Sequence, residues 1–338
     1  MALDDLDLEQ WRDLDDRDAG RLADRIASRA DAEPVETGWR PGPAGPVRYV
    51  LFRRDGELYG LVPGGGVEVG YDGARFVPSE GQLASYASSY EEYGAPGEDY
   101  GLPADIRETV DTLTSPPRAV DVPPLLVAVE ARDAGLTRVA PDHPLIAEAA
   151  AMHRADPRED RAAEPREVRV MWPPGKHAAR QARVLLTPDG TVTEAWLMFS
   201  LADDLERMAS KGMRLLTPDE WEHACGAGAA TLFRWGDDCP ADRYPGATMR
   251  GDGSVEPDHG PHLEPNAFGL NIGQRSTLRE ATADPAVLCG GDGGSAVCGG
   301  SGFFLGWLPL ATSYRDGAEG PTANEARDVL VRPAIPLH

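Results

Sequence analysis

Lysine is nearly missing from this chain: Lys176 and Lys211 are the only two in 338 residues. Together with arginine they make 33 basic residues against 56 acidic ones, a net charge of −23. That balance argues against nucleic acid and against anionic membrane surfaces, since both are held by basic patches. Cysteine is scarce as well, with four in the chain. So few thiols in this length exclude a disulfide scaffold and suit a reducing cytoplasm. No apolar run approaches 18 residues, so no transmembrane helix is expected. The opening MALDDLDLEQ lacks the basic and apolar regions of a secretory leader. What remains is 41% apolar, enough for a sizeable core. The expectation is a soluble cytoplasmic protein, or an acidic one that docks on a basic partner.

The richest local pattern lies at Gly212 to Pro240, GMRLLTPDEWEHACGAGAATLFRWGDDCP. Thr217 is a good N-cap, Pro218 fits the first helical position, and Glu220 completes a capping box. Leu216 and Trp221 stand where a hydrophobic staple would put them. Trp221, Ala224 and Cys225 share one helix face. Gly226 and Gly228 end the helix, and Leu232, Phe233 and Trp235 return to the core.

Elsewhere the chain reads in pieces. Residues 1–33 are predicted helical, with Leu8, Trp11, Leu14, Leu22, Ala23 and Ile26 at helical spacing. Glu33 to Pro46 reads as a linker, giving an N-terminal extension over 1–46 and a main domain over 47–338. Val47 to Phe76 is a run of hairpins turning at Asp55-Gly56 and Asp72-Gly73. Ser79 to Tyr93 and Leu102 to Leu113 are predicted helices. Val120 to Glu130 is a buried strand that Pro123-Pro124 puts at a sheet edge or splits. His143 to Arg154 is a helix, and Asp156 to Pro165 an exposed loop. Val168 to Trp172 and Ala182 to Leu186 are strands, and Thr193 to Ser210 is predicted as one helix. No internal repeat is visible.

Several stretches carry a resemblance. Arg214-Leu215-Leu216-Thr217-Pro218-Asp219-Glu220-Trp221-Glu222 and Phe233-Arg234-Trp235-Gly236 resemble the signature of the formylglycine-generating enzyme (sulfatase-modifying factor) family. YGLVPGGGVEVGYD (Tyr59 to Asp72), NAFGL (Asn266 to Leu270), Gly293-Gly294-Ser295 and VLVRPA (Val329 to Ala334) fall in the same order, in patches over roughly residues 58–335. The resemblance implies an α+β fold of the C-type-lectin-like kind, loop-rich with small antiparallel sheets. It also implies an O₂-dependent oxidation through two cysteines, five residues apart, that hold Cu(I); soft thiolates select that ion. Cys298 falls where the first of them would stand, but the second position is Phe303, and the nearest substitute is Cys289. Asp292 takes the place of an arginine in the block that contains Ser295. Where the family continues with a Gly-Asn-x-x-Glu-Trp block, only Glu280 survives here as an oxygen ligand for Ca²⁺.

Three roles for Cys298 follow from the residues: a small buried hydrophobe, half of a metal or redox pair with Cys289, or a lone thiol activated by the backbone N–H groups of its glycine-rich surroundings. Seven glycines stand between Gly290 and Gly302. They allow tight turns and close backbone approach, but the block has no lysine at P-loop spacing. On this reading Cys298, Cys289 and Ser295 are the candidate catalytic residues. Asp292, Trp235 and Arg315 are candidate ligand contacts. Asp258, His259 and His262, in an oxygen-rich loop after Trp235, join Glu280 as candidate metal ligands. Cys225 is expected in the core, and Cys239, beside Asp237 and Asp238, is expected to resist ionisation. The resemblance also extends to relatives that hold iron through a His-x-x-x-His-x-Glu run, and this sequence has no such run. The function expected is binding of a small molecule or a protein or peptide through the loops Asp237–His262 and Gly290–Gly302. The alternatives are a copper- or thiol-dependent oxidoreductase and an acidic interaction protein. The sequence does not fix the oligomeric state.

Overall fold

The computed structural model of the chain describes residues 3, 6–43, 45–93, 102–154, 165–246, 248–249, 255–315 and 329–337. Its architecture is α+β, with several helices and small antiparallel sheets. Two compact units emerge. One comprises Met1–Ala131, Gly212–Gly320 and Leu330–His338; the other comprises Arg132–Lys211 and Pro321–Val329. Among the described residues no helix is long and apolar enough to cross a membrane.

The larger unit begins with helices α1 (Leu8–Asp13) and α2 (Asp16–Ala30). Each starts because an aspartate carboxylate, Asp7 or Asp15, accepts a hydrogen bond from a backbone N–H of the first turn. Helix α2 buries Leu22, Ala23, Ile26 and Ala30 on one stripe. That stripe packs with Val50, Phe52, Leu61, Leu126 and Ile335. Those residues stand on a five-stranded antiparallel sheet ordered β1 (Glu33–Arg40), β2 (Val47–Arg54), β3 (Glu57–Val62), β6 (Leu125–Ala128) and the strand Ala334–Pro336. Residues 33–40, expected as linker, are therefore the sheet's edge. Glu33 to Arg40 pairs with Arg53 to Val47, and its side chains are mostly exposed. An exposed edge needs no apolar alternation, and Pro34 and Gly38 disguise the strand in the sequence.

A second ribbon pairs β4 (Gly65–Val69) with β5 (Arg118–Val122). Pro123-Pro124 does split the expected strand, leaving β5 in this ribbon and β6 in the five-stranded sheet. Helices α3 (Glu80–Tyr93) and α4 (Ile106–Leu113) follow the two pieces predicted for them. The expected loop 156–165 lies, except for its last residue, outside the described residues.

In the smaller unit, α5 (Pro144–Arg154) packs Ile146 and Ala149 on Val168, Val184, Ala195 and Leu197. These come from a four-stranded antiparallel sheet ordered Leu136–Val139, Val192–Met198, Gln181–Leu186, Arg166–Met171. The single helix expected over 193–210 is thus corrected. Val192–Met198 is a central strand, with Ala195 and Leu197 buried in alternation, and only Leu201–Ser210 is helical, as α6. Trp196 and Leu197 fit a helix face as well as a pleat, and pairing with two neighbours decided between them. Ser200 and Asp203 form the capping box that starts α6. Asp204, buried, holds Arg132 through two bonds of 2.7 and 2.8 Å and accepts the Gly135 N–H at 2.7 Å.

Candidate functional site

Helix α7 (Pro218–Gly226) organises the larger unit, and it starts as its residues require. Thr217 Oγ1 accepts the Glu220 N–H at 3.2 Å, while Glu220 accepts the Thr217 N–H at 2.8 Å. The helix ends at Gly226, as expected, and Ala227, between the two glycines expected to stop it, takes the left-handed conformation at φ 48°. Its acidic residues then diverge. Glu220 receives both ends of the Arg214 guanidinium, at 2.6 and 2.7 Å. Glu222, buried, accepts the Gly70 N–H and the Ser115 hydroxyl, each at 2.8 Å, and the guanidinium groups of Arg118 and Arg315. Arg118 also holds Asp219. His223 reaches the Pro63 carbonyl at 2.8 Å, and burial pushes its imidazole below the usual pKa.

Trp221, 1% exposed, donates its indole N–H to Glu280 at 2.8 Å. Arg332 grips the same carboxylate with two bonds of 2.8 Å and spends its remaining N–H groups on the carbonyls of Ala128, Val129 and Asn271. Glu280, expected as a metal ligand, instead balances a buried guanidinium. Both of its oxygens are occupied, so it does not offer Ca²⁺ a free ligand. Beside it lies a polar hollow of ≈ 20 Å³ bordered by Glu130, Asn271, Glu280, Gly290 and Arg332, the size of one water molecule.

The glycine-rich block is held tightly. A side chain at Gly291 would stand 1.9 Å from the Leu278 carbonyl oxygen, so only glycine fits that approach. Asp292, expected to meet a ligand, turns inward: its carboxylate accepts the N–H groups of Gly294 at 2.7 Å and Ala296 at 2.8 Å. It thereby starts the short helix α8 (Ser295–Gly299), and the Ser295 hydroxyl donates to the Asp292 carbonyl at 3.0 Å. Cys298, on α8, is exposed, whereas Cys289 is wholly buried beside Trp221, Leu216 and Cys225. Arg315, the third expected ligand contact, donates to the Cys289 sulfur at 3.2 Å and to Glu222. Burial pushes the Cys289 thiol up despite that guanidinium. A Cu(I) pair needs two thiolates facing one ion; here one sulfur is fully buried against the Arg315 guanidinium and the other faces solvent, so these residues do not fit that ion. Cys225 and Cys239 are both buried and both pushed up to about 12. Burial is the larger cause at Cys239, ahead of the neighbouring carboxylate expected to dominate there.

His262 is also buried, its ring edge-on to Trp307 at 5.0 Å. Its Nε2 lies 2.8 Å from Asp258 Oδ2, and its Nδ1 has no partner. Burial lowers its pKa, and Asp258 opposes that shift. His259 is exposed. Asp258, His259, His262 and Glu280 are not gathered: among the described residues no three or more His, Cys, Asp or Glu side chains come together as a metal site.

Trp235 stands differently. It stacks on Phe233 at 4.8 Å, meets Trp307 edge-on, and donates its indole N–H to the Asp238 carbonyl at 2.9 Å. The tight turn from Phe233 to Gly236 leaves it half-buried at the wall of an open hollow of ≈ 620 Å³. Arg40, Pro41, Pro43, Arg234 and Pro261 form the other walls. A volume of this size suits a small organic ligand. The segment Arg40–Pro43 was legible only as linker. Arg234 lay unremarked inside the quoted Phe-Arg-Trp-Gly motif; a cation between two rings is the signal that pointed to it. The Gly290–Gly302 loop does not line this hollow, so the two expected binding loops border different recesses. No family model and no curated protein matches this chain.

Proposed function

We propose that this chain is a diverged member of the formylglycine-generating-enzyme group, with its C-type-lectin-like arrangement. It binds a ligand at the loop face around Trp235 and does not oxidise one through paired thiols. The observation that carries this reading is the ≈ 620 Å³ hollow walled by Trp235. It is the large recess reached by one of the residues expected to bind, whereas Asp292 and Arg315 are spent on internal bonds. The motif order from Arg214 to Ala334 supports the family reading, as does Trp221 bonding across the larger unit to Glu280. Function commonly sits on loops held by such a scaffold.

The test is a thermal-shift screen of acidic, neutral and basic small molecules and peptides, run on the protein and on Trp235→Ala, with metal analysis of both the protein and Cys298→Ser. The expected result is a ligand-dependent rise in Tm that Trp235→Ala loses, with no stoichiometric copper. Copper bound one per chain and lost in Cys298→Ser would replace this reading with the oxidoreductase.

A further inference from the structure

Several arginines of the larger unit are neutralised by carboxylates. Arg48 pairs with Asp16, Arg118 with Asp219 and Glu222, Arg214 with Glu220, Arg315 with Glu222, and Arg332 with Glu280. Carboxylates are abundant, 56 against 33 basic residues, so a partly buried arginine without one is not explained by scarcity. Arg40 and Arg234 are such arginines, and both line the hollow at Trp235.

Arg234 donates through Nη2 to the backbone carbonyls of His262 at 2.5 Å and Glu264 at 2.6 Å, while its Nη1 is buried with no acceptor. Carbonyl dipoles do not cancel a full charge, and an unneutralised guanidinium away from water is costly. Arg40 lies with its guanidinium carbon 4.7 Å above the Tyr49 ring, and its Nε is likewise buried without a partner. Glu264 also borders the hollow, but its side chain is exposed and Arg234 bonds only its backbone. The rest of the wall includes Pro41, Pro43, Pro261 and Trp235, a flat apolar lining.

We propose that this hollow takes a small organic anion. Its carboxylate or phosphate lies between Arg40 and Arg234, and its apolar body lies against Trp235 and the prolines. This rests on the binding reading above and names the class of ligand. Guanidinium groups match carboxylates and phosphates through paired N–H donors. The exposed carboxylate of Glu264 offsets Arg234 only from a distance, so an anion bound directly adds counter-charge and stabilises the folded chain in proportion to its occupancy. A bare inorganic ion would leave the apolar wall and most of ≈ 620 Å³ unused.

The experiment is calorimetric titration with benzoate, phenyl phosphate, inorganic phosphate and the neutral benzamide, each on the full chain and on Arg40→Gln. Arg40 sits on the exposed edge strand, so this variant keeps the core intact; circular dichroism checks that. Arg234→Gln is a second variant. The expected result is that benzoate or phenyl phosphate binds and weakens at least about tenfold in Arg40→Gln, a change of ~1.4 kcal/mol. Benzamide and inorganic phosphate stay far weaker, and affinity falls with added salt. Which of the two organic anions wins tells carboxylate from phosphate. Benzamide binding as well as benzoate would overturn the anion assignment while leaving the binding reading in place. Inorganic phosphate binding as tightly as phenyl phosphate would overturn the organic part. No binding by any of the four would overturn the assignment outright, and the wider screen on Trp235→Ala then decides the binding reading separately.

Discussion

Single residues here are set by what surrounds them more than by what they are. Cys289 and Cys298 stand nine positions apart with opposite fates, one wholly buried and one exposed. Glycines around Cys298 make the block look like a reactive cradle, yet Gly290 and Gly291 serve close packing, against Trp221 and Leu278. A thiol reagent reads this difference directly. In the native protein at mildly alkaline pH, one of the four cysteines is expected to react within minutes and three only on unfolding, because Cys225, Cys239 and Cys289 are sealed and pushed up by burial. The check is the count of fast-reacting thiols per chain, with Cys298→Ser as control. Two fast thiols, or one that persists in Cys298→Ser, would show that the burial is wrong. Glu280 makes the same point from the polar side. Its sequence neighbourhood suggests a metal ligand, and only its three-dimensional neighbours, Trp221 and Arg332, show it to be the acceptor of a buried charge.

At the scale of elements, helix α7 was readable in full because every local rule agreed: cap, proline, capping box and staple. That agreement gives a prediction. Thr217→Ala removes the side-chain cap but leaves Glu220 held by Arg214, so the cost should be about 1 kcal/mol of unfolding free energy. Urea midpoints measure it; no change at all would mean the Arg214 pair alone starts the helix. Other elements were illegible for identifiable reasons. The strand β1 carries Pro34 and Gly38, is exposed, and is defined by its pairing with β2. Val192–Met198 satisfies a helical pattern and a pleated one, and the strands on both of its sides settle the matter. The hollow at Trp235 joins Arg40 and Arg234, nearly two hundred positions apart, and no spacing rule spans that distance.

For the molecule as a whole, charge and burial set its response to pH. His223 and His262 are buried, and burial depresses both pKa values below the usual ~6.5. A depressed histidine favours the folded state while neutral. Its contribution is complete above the unfolded value and is lost as pH falls from there towards the folded value. Stability should therefore decline from about pH 6.5 downward, before most carboxylates titrate. Asp203, held below the usual range by its hydrogen bond from Ser200, adds its own loss only nearer pH 4. Urea midpoints at pH 7.5, 6.5 and 5.5 test this, and His223→Gln, which can still donate to the Pro63 carbonyl, should flatten the decline. A midpoint constant across that range would contradict it.

The amino-acid order alone determined the start of α7, most helices, and the split strand at Pro123-Pro124. These depend on neighbours a few residues away, through hydrogen bonds and side-chain periodicity that the order itself specifies. Tertiary structure decided which acids meet arginines, which cysteine meets solvent, and which arginines are left facing a hollow. Those outcomes depend on the local dielectric and on partners brought from distant positions, and neither exists until the chain has closed around its core.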